Sequence, residues 1–213
     1  MLDLDKNMTQ GIYTKNPRSI RGVLRRWIGT QKEYIKKSDD YPWWYNERAS
    51  TSILAAAAWK TNNIALEEFS TIKGVQKEKV KRGRCDIYFT SGGEDFVGEA
   101  KQAWISSGSK IRKSIKGKLD DALKSAKQST IELQKQEGRR LAICFAVPYF
   151  PKADQNKLKT LIMKFTEALS RSSATSYAYY FITKNFEDCE GDDGRLYPGN
   201  AIIIKEIKRA KRV

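Results

Sequence analysis

Two carboxylates and a lysine, Asp86, Glu99 and Lys101, lie around a glycine turn in the segment GRCDIYFTSGGEDFVGEAK. Its flanks, Arg84 to Thr90 and Asp95 to Lys101, are rich in apolar, β-compatible residues and meet at Ser-Gly-Gly-Glu. They read as the two strands of a hairpin. With Gly92-Gly93 as the turn, Ser91 faces Glu94 and Asp86 falls directly opposite Glu99. Facing side chains have Cβ atoms roughly 4.5–5.5 Å apart, and like charges so placed repel. A cation between them converts that penalty into a binding site. Glu99 and Lys101 are two residues apart and share a strand face. Cys85, Ile87, Phe89, Phe96, Gly98 and Ala100 are expected on the opposite, apolar face.

Oxygen-only carboxylate donors suit Mg²⁺, with Mn²⁺ as a substitute, and are poor for Zn²⁺. Such an ion activates a water and stabilises charge on phosphoryl oxygens, and a neighbouring lysine adds a positive charge where charge develops. The chain has no histidine, which excludes His-based triads, His general bases and His metal ligands. Its 3 cysteines, Cys85, Cys144 and Cys189, show neither disulfide nor metal-ligand spacing. Any hydrolysis must then run on carboxylates, Lys, Tyr, Ser or Cys, and a carboxylate, metal and lysine site is an economical route to phosphodiester hydrolysis. The formal charge of +15, from 40 Lys and Arg against 25 Asp and Glu, points to a polyanionic partner or an acidic membrane surface.

The elements that must position these groups follow from periodicity. Residues 17–37 place Ile20, Val23, Leu24, Trp27 and Ile28 at helical spacing, with Arg18, Arg21, Arg25, Arg26 and Lys32 on the other face. Packing on the domain with a basic outer face is preferred there over membrane or calmodulin-like binding. A second helix is expected from Trp43 to Trp59, weakened at Ser50-Thr51-Ser52, and a strand late in residues 64–73. After the hairpin come a helix within 110–136, a central strand over 139–149 that is apolar on both faces, a helix over 154–170, and strands over 177–183 and 201–207. Helices on a mixed sheet make an α/β sandwich. Residues 1–40 are expected to form a basic helical extension and 41–213 the nuclease-like domain, a single globular unit overall.

The hairpin resembles the signature of the PD-(D/E)XK nuclease superfamily, the restriction-endonuclease-like fold. The resemblance lies in Asp86 on one strand and Glu99-Ala100-Lys101 on the next, with Gly83-Arg84-Cys85 leading in. Cys85 stands where the signature has its nominal, variable proline. The likeness covers about residues 43–150. It implies a core order of helix, three strands, helix, strand, and Mg²⁺ held by Asp86, Glu99 and the backbone carbonyl of Ala100. It also implies an acid from the first helix near the metal. Glu47 matches that role, with Glu67 and Glu68 as rivals. Gln102 sits where many relatives carry a polar residue, but alternation turns it to the other face.

Lys110, Arg112, Lys113, Lys116 and Lys118 follow the active strand closely and are the expected polyanion contacts, next to a flexible Ser106-Ser107-Gly108-Ser109 entry. A second basic cluster is C-terminal, Lys205, Lys208, Arg209, Lys211 and Arg212. Tyr41-Pro42-Trp43-Trp44-Tyr45 is expected to pack rather than to stack on bases. The resulting expectation is a Mg²⁺-dependent endonuclease on double-stranded DNA, of the kind used in restriction, phage defence or repair. RNA as substrate stays open, as does a homodimer or larger complex. The rival is a nucleic-acid-binding subunit with a disused site. No run approaches the roughly 20 apolar residues of a membrane span, and MLDLDKNMTQ does not read as a signal peptide. A reduced, cytoplasmic setting is expected.

Overall fold

The computed structural model describes residues 8–16, 20–74, 81–108, 114–133, 137–183 and 185–207. Eight strands and four α-helices form an α/β sandwich. Strand β1 (Met8–Thr14) and helix α1 (Arg21–Ser38) lead to α2 (Glu47–Trp59), then to β2 (Ala65–Lys73), β3 (Lys81–Ser91) and β4 (Glu94–Ser106). Helix α3 (Ile115–Ile131), β5 (Arg139–Pro151) and α4 (Leu158–Ser170) follow, with β6 (Ser176–Ile182), the short β7 (Arg195–Leu196) and β8 (Gly199–Ile207) at the end. The sheet runs β1-β6-β8-β5-β4-β3-β2, with β7 on the end of β5. Among the described residues only β4 and β5 are parallel, joined by the α3 crossover, and the other pairs are antiparallel.

The run Leu141 to Val147 of β5 is apolar on both faces because both faces are covered. Leu141, Ile143 and Phe145 pack with Val23, Leu24 and Trp27 of α1 and Leu54 of α2. Cys144 and Ala146 pack with Leu119 and Leu123 of α3 and Leu161 and Phe165 of α4. Order α2-β2-β3-β4-α3-β5 is the helix, three strands, helix, strand sequence expected for the core.

Residues 1–40, expected as an extension, supply from Met8 onward an edge strand and a core helix. β1 pairs with β6 from Met8–Ile182 to Thr14–Ser176, and Leu24 and Trp27 are fully buried. The basic face of α1 is outward as expected, with Arg21 and Arg25 exposed. Helix α2 starts at Glu47 rather than Trp43, because Pro42–Trp44 forms a 3-10 turn and the Asn46 side chain caps the helix by accepting the Ala49 N–H at 3.1 Å. No described helix is long and apolar enough to cross a membrane.

Candidate active site

The turn Gly92-Gly93 has φ of 60° and 76°, the positive values that a two-residue hairpin turn needs. It sets the expected register: Ser91 pairs with Glu94, Phe89 with Phe96 and Ile87 with Gly98. There the ladder stops, one step before Asp86 and Glu99. The β2–β3 ladder skips the same position, with Glu67 on Ile87 and Phe69 on Cys85, and Glu68 between them takes a left-handed φ of 51°. Regular alternation fails across this line. Ile87, Phe89, Phe96 and Ala100 lie in the core under α1 and α2, whereas Cys85 packs with Val97 and Leu133 at the end of α3. Cys85 is therefore not on the face expected for it; the kink at Glu68 and Asp86 turns the strand over.

Beyond Gly98 the edge of β4 that faced β3 is free to bond with side chains. Asp86 Oδ2 accepts the N–H of Ala100 at 2.7 Å, and Glu47 Oε2 accepts the N–H of Gln102 at 3.0 Å. These amides are two residues apart, about 7 Å along one strand edge, and each is taken by a carboxylate from another element. The carbonyl of Ala100 belongs to that same edge. Lys101 Nζ lies 3.5 Å from Glu47 Oε1. Both side chains are about a third exposed, at 39% and 33%, so the pair is open to solvent.

Glu99 is placed differently from expectation. It is 3% exposed and is held by Lys73 of β2, whose Nζ donates to Oε2 at 2.7 Å. Its Oε1 is the one buried carboxylate oxygen without a partner among the described residues. Burial pushes its pKa up to about 7, the Lys73 hydrogen bond pulls it back, and the Asp86 charge pushes it further up. Asp86 and Glu99 are thus electrostatic neighbours, as the register implied, but they do not stand side by side on an open face.

Helix α2 brings the rest. Its Ser50-Thr51-Ser52 run, weak for a helix, bonds elsewhere. Ser50 Oγ donates to Gln102 Oε1 at 2.8 Å, Ser52 Oγ to Glu67 Oε2 at 2.8 Å, and Thr51 Oγ1 to the Glu47 carbonyl at 2.9 Å. Gln102 also donates Nε2 to the Tyr45 carbonyl at 2.5 Å. Of the three rival acids, Glu67 is thereby tied to Ser52, and Glu68 lies 3.4 Å from Arg48 and 3.0 Å from Arg84. Glu47 is the one that reaches Lys101. Lys73 is a neighbour that pattern reading passed over, and Gln102, set aside there because it faces the other way, is what ties α2 to the strand. The signal for Lys73 was faint: a glycine, Gly83, inside a strand.

Of the expected polyanion contacts, Lys110, Arg112 and Lys113 lie outside the described residues, as do Lys208, Arg209, Lys211 and Arg212. Lys116 pairs with Asp120 at 2.6 Å on the exposed side of α3, and Lys118 donates to the Ser106 carbonyl at 2.6 Å. Lys205 donates to the Ser173 carbonyl at 2.5 Å. Trp43 packs as expected, fully buried, with its indole N–H on the Tyr197 carbonyl at 2.9 Å.

Thiol chemistry is disfavoured. Cys85, Cys144 and Cys189 are all buried and free, and burial pushes each thiol up to about 12, so no thiolate is at hand at neutral pH. Among the described residues no three His, Cys, Asp or Glu side chains gather into a metal-binding group. What the edge of β4 does offer is carboxylates from two other elements on alternate amides, with Lys101 beside one of them, Glu47. No family model, no curated protein and no solved structure matches the chain.

Proposed function

We propose that the chain is a metal-dependent nuclease of the PD-(D/E)XK type, hydrolysing phosphodiester bonds of DNA. The observation that carries this reading is the convergence on Ala100-Lys101. Asp86 and Glu47, from β3 and α2, take alternate amides of one free strand edge, with Glu99 and Lys101 on the strand itself. The order of core elements and the charge of +15 support it further.

The donor set fits a hard divalent cation. Only oxygens are offered, Glu99 Oε1 is buried without a partner, and Asp86 makes ionised Glu99 more costly. Mg²⁺ needs only one or two protein carboxylates and keeps several waters, so Asp86, Glu99 and the Ala100 carbonyl would hold it, with Glu47 acting through water or on a second ion. A bound Mg²⁺ or Mn²⁺ supplies an acidified water and charge neutralisation at the phosphoryl oxygens. Lys101 orients the attacking water or neutralises the charge that develops on phosphate. Glu47, hydrogen-bonded to the Gln102 amide and ion-paired with Lys101 at 3.5 Å, biases where that ammonium sits. Gln102, held by Ser50 and Tyr45, locks α2 to the strand so that Glu47 stays in register.

Double-stranded DNA is the default substrate of this reading, with restriction, phage defence or repair as the setting. The internal pairing of Lys73 with Glu99 and Lys101 with Glu47 favours one rival, a nucleic-acid-binding subunit whose site is disused. Incubation with plasmid, single-stranded DNA and RNA, in Mg²⁺ and in EDTA, separates the two. Metal-dependent cutting that is lost in Lys101→Ala is expected. No cutting of any of the three substrates would leave the binding subunit, and cutting that survives Lys101→Ala would move the site elsewhere.

A further inference from the structure

Strand β2 sends one lysine across β3 toward the site. Lys73 Nζ lies 2.7 Å from Glu99 Oε2, and the two side chains are only 15% and 4% exposed. Room for its stem comes from Gly83, at the start of the Gly83-Arg84-Cys85-Asp86 segment. A Cβ at Gly83 would stand 3.0 Å from Lys73 Cδ, 3.2 Å from Cγ and 3.4 Å from Cε. A glycine inside a strand weakens it and marks a close approach; here the approaching group is the lysine stem. The ammonium meets one oxygen of Glu99 and leaves Oε1 buried and unpartnered. So one cation sits in a pocket with more acceptor capacity than it uses.

We infer that Lys73 is the resident counter-ion of the metal-free site, and that a divalent cation engages Glu99 by displacing its ammonium. This rests on the metal reading given under Proposed function and adds a positioning residue to it. An ammonium and a divalent ion against one carboxylate repel strongly where water is excluded. A buried Glu99 beside Asp86 with no cation at all would be costly. Lysine suits the exchange because its charge is a point on a flexible four-carbon stem. Lys73 thus steadies the metal-free protein and lowers its affinity for metal.

The test is Mn²⁺ binding to the full chain at pH 8, without nucleic acid, read by calorimetry or by the free-ion electron-spin signal. Lys73→Met is expected to tighten Mn²⁺ binding about tenfold or more, since a positive charge leaves the ion's position. Gly83→Ala keeps the charge but crowds the stem, and is expected to tighten binding by a smaller factor. Lys73→Arg keeps a cation and should stay close to wild type. Unchanged or weaker Mn²⁺ binding in both Lys73→Met and Gly83→Ala overturns the exchange; should Lys73→Met not fold, Gly83→Ala alone decides. Wild-type Mn²⁺ binding that is indifferent to Asp86→Ala and Glu99→Gln would instead overturn the metal reading itself, and the exchange with it.

Discussion

Two clusters of paired acids and bases bracket the β4–β5 pair, and they are built on different terms. At the start of β5, Arg139 bonds Glu206 through Nε at 2.7 Å and Nη2 at 2.5 Å, bonds Glu94 through Nη1, and lies 5.2 Å from the centre of the Phe96 ring. The fork of the guanidinium matches the carboxylate it meets, and both glutamates raise the pKa of Arg139. Further along β4, the kink holds Asp86, Glu99, Glu47, Lys73 and Lys101. There the lysines are point charges, one carboxylate oxygen has no partner, and Glu99 is left with its pKa raised to about 7. A cluster that satisfies itself serves the fold. One that leaves a buried carboxylate oxygen without a partner, at a break in the sheet, is arranged to receive a further cation.

The contrast is broken most sharply by activity. Lys101→Ala should lower cleavage by about 10²–10³-fold or more, the scale of losing one preorganised transition-state charge, with the melting temperature little changed. Arg139→Ala should do the reverse, leaving cleavage near wild type while costing about 1–3 kcal/mol of stability in denaturant titration, because two glutamates lose their donor. Equal loss of activity in both variants would erase the distinction between the clusters.

A pH series sharpens it. Glu99 has its folded pKa raised above the usual 4.5, to about 7, so the folded chain holds that proton more tightly than the unfolded one. Its contribution is fully present below about pH 4.5 and is lost as pH rises through about 7. At pH 8 without metal the cost is on the order of 3 kcal/mol. Glu99→Gln should therefore gain on wild type by about 5–10 °C in melting temperature between pH 5 and pH 8, and Glu206→Gln should not. Parallel pH curves for wild type and Glu99→Gln would mean that Lys73 fully compensates the buried carboxylate.

Smaller effects are expected further out. Glu47→Gln keeps the helix and the Gln102 contact while removing the charge facing Lys101. It should lower the cleavage rate and raise the Mg²⁺ concentration for half-maximal activity, with DNA binding in Ca²⁺ little altered. An unaltered Mg²⁺ titration would remove Glu47 from the set of acids. Smallest of all, Lys116→Ala should reduce the slope of log K against log salt by about 0.9 if that lysine leaves Asp120 for a phosphate. An unchanged slope would assign Lys116 to the α3 surface.

The hairpin register could be read directly, because Gly92-Gly93 leaves one way to pair Ser91 with Glu94. So could the doubly covered β5 and the core order of elements. The faces of β3 could not. Alternation assumes a continuous ladder, and the positive φ of Glu68 has no marker in a glutamate. Gln102 does leave the face of Lys101, as alternation requires. What the pattern does not convey is that α2 crosses that other face, so that Ser50 and Tyr45 meet it. Strand β1 went unread because Met8–Thr14 carries Gly11, a poor strand former, here required because a Cβ on it would come within 2.6 Å of the Tyr179 ring. Lys73 was hidden by distance in sequence, 26 residues from Glu99.

The pairing of Met8–Thr14 with Ser176–Ile182 also governs how the molecule comes together in time. Strand β1 finds its partner only after every element from α1 to α4 has been made. Closing so long a loop is slow relative to the local hairpin of β3 and β4. While that pairing is unmade, β6 has a bare edge, a template for pairing with other chains. Removal of residues 1–14 should make that interval permanent, and the yield of soluble protein should fall before any change at the distant β3–β4 kink is felt.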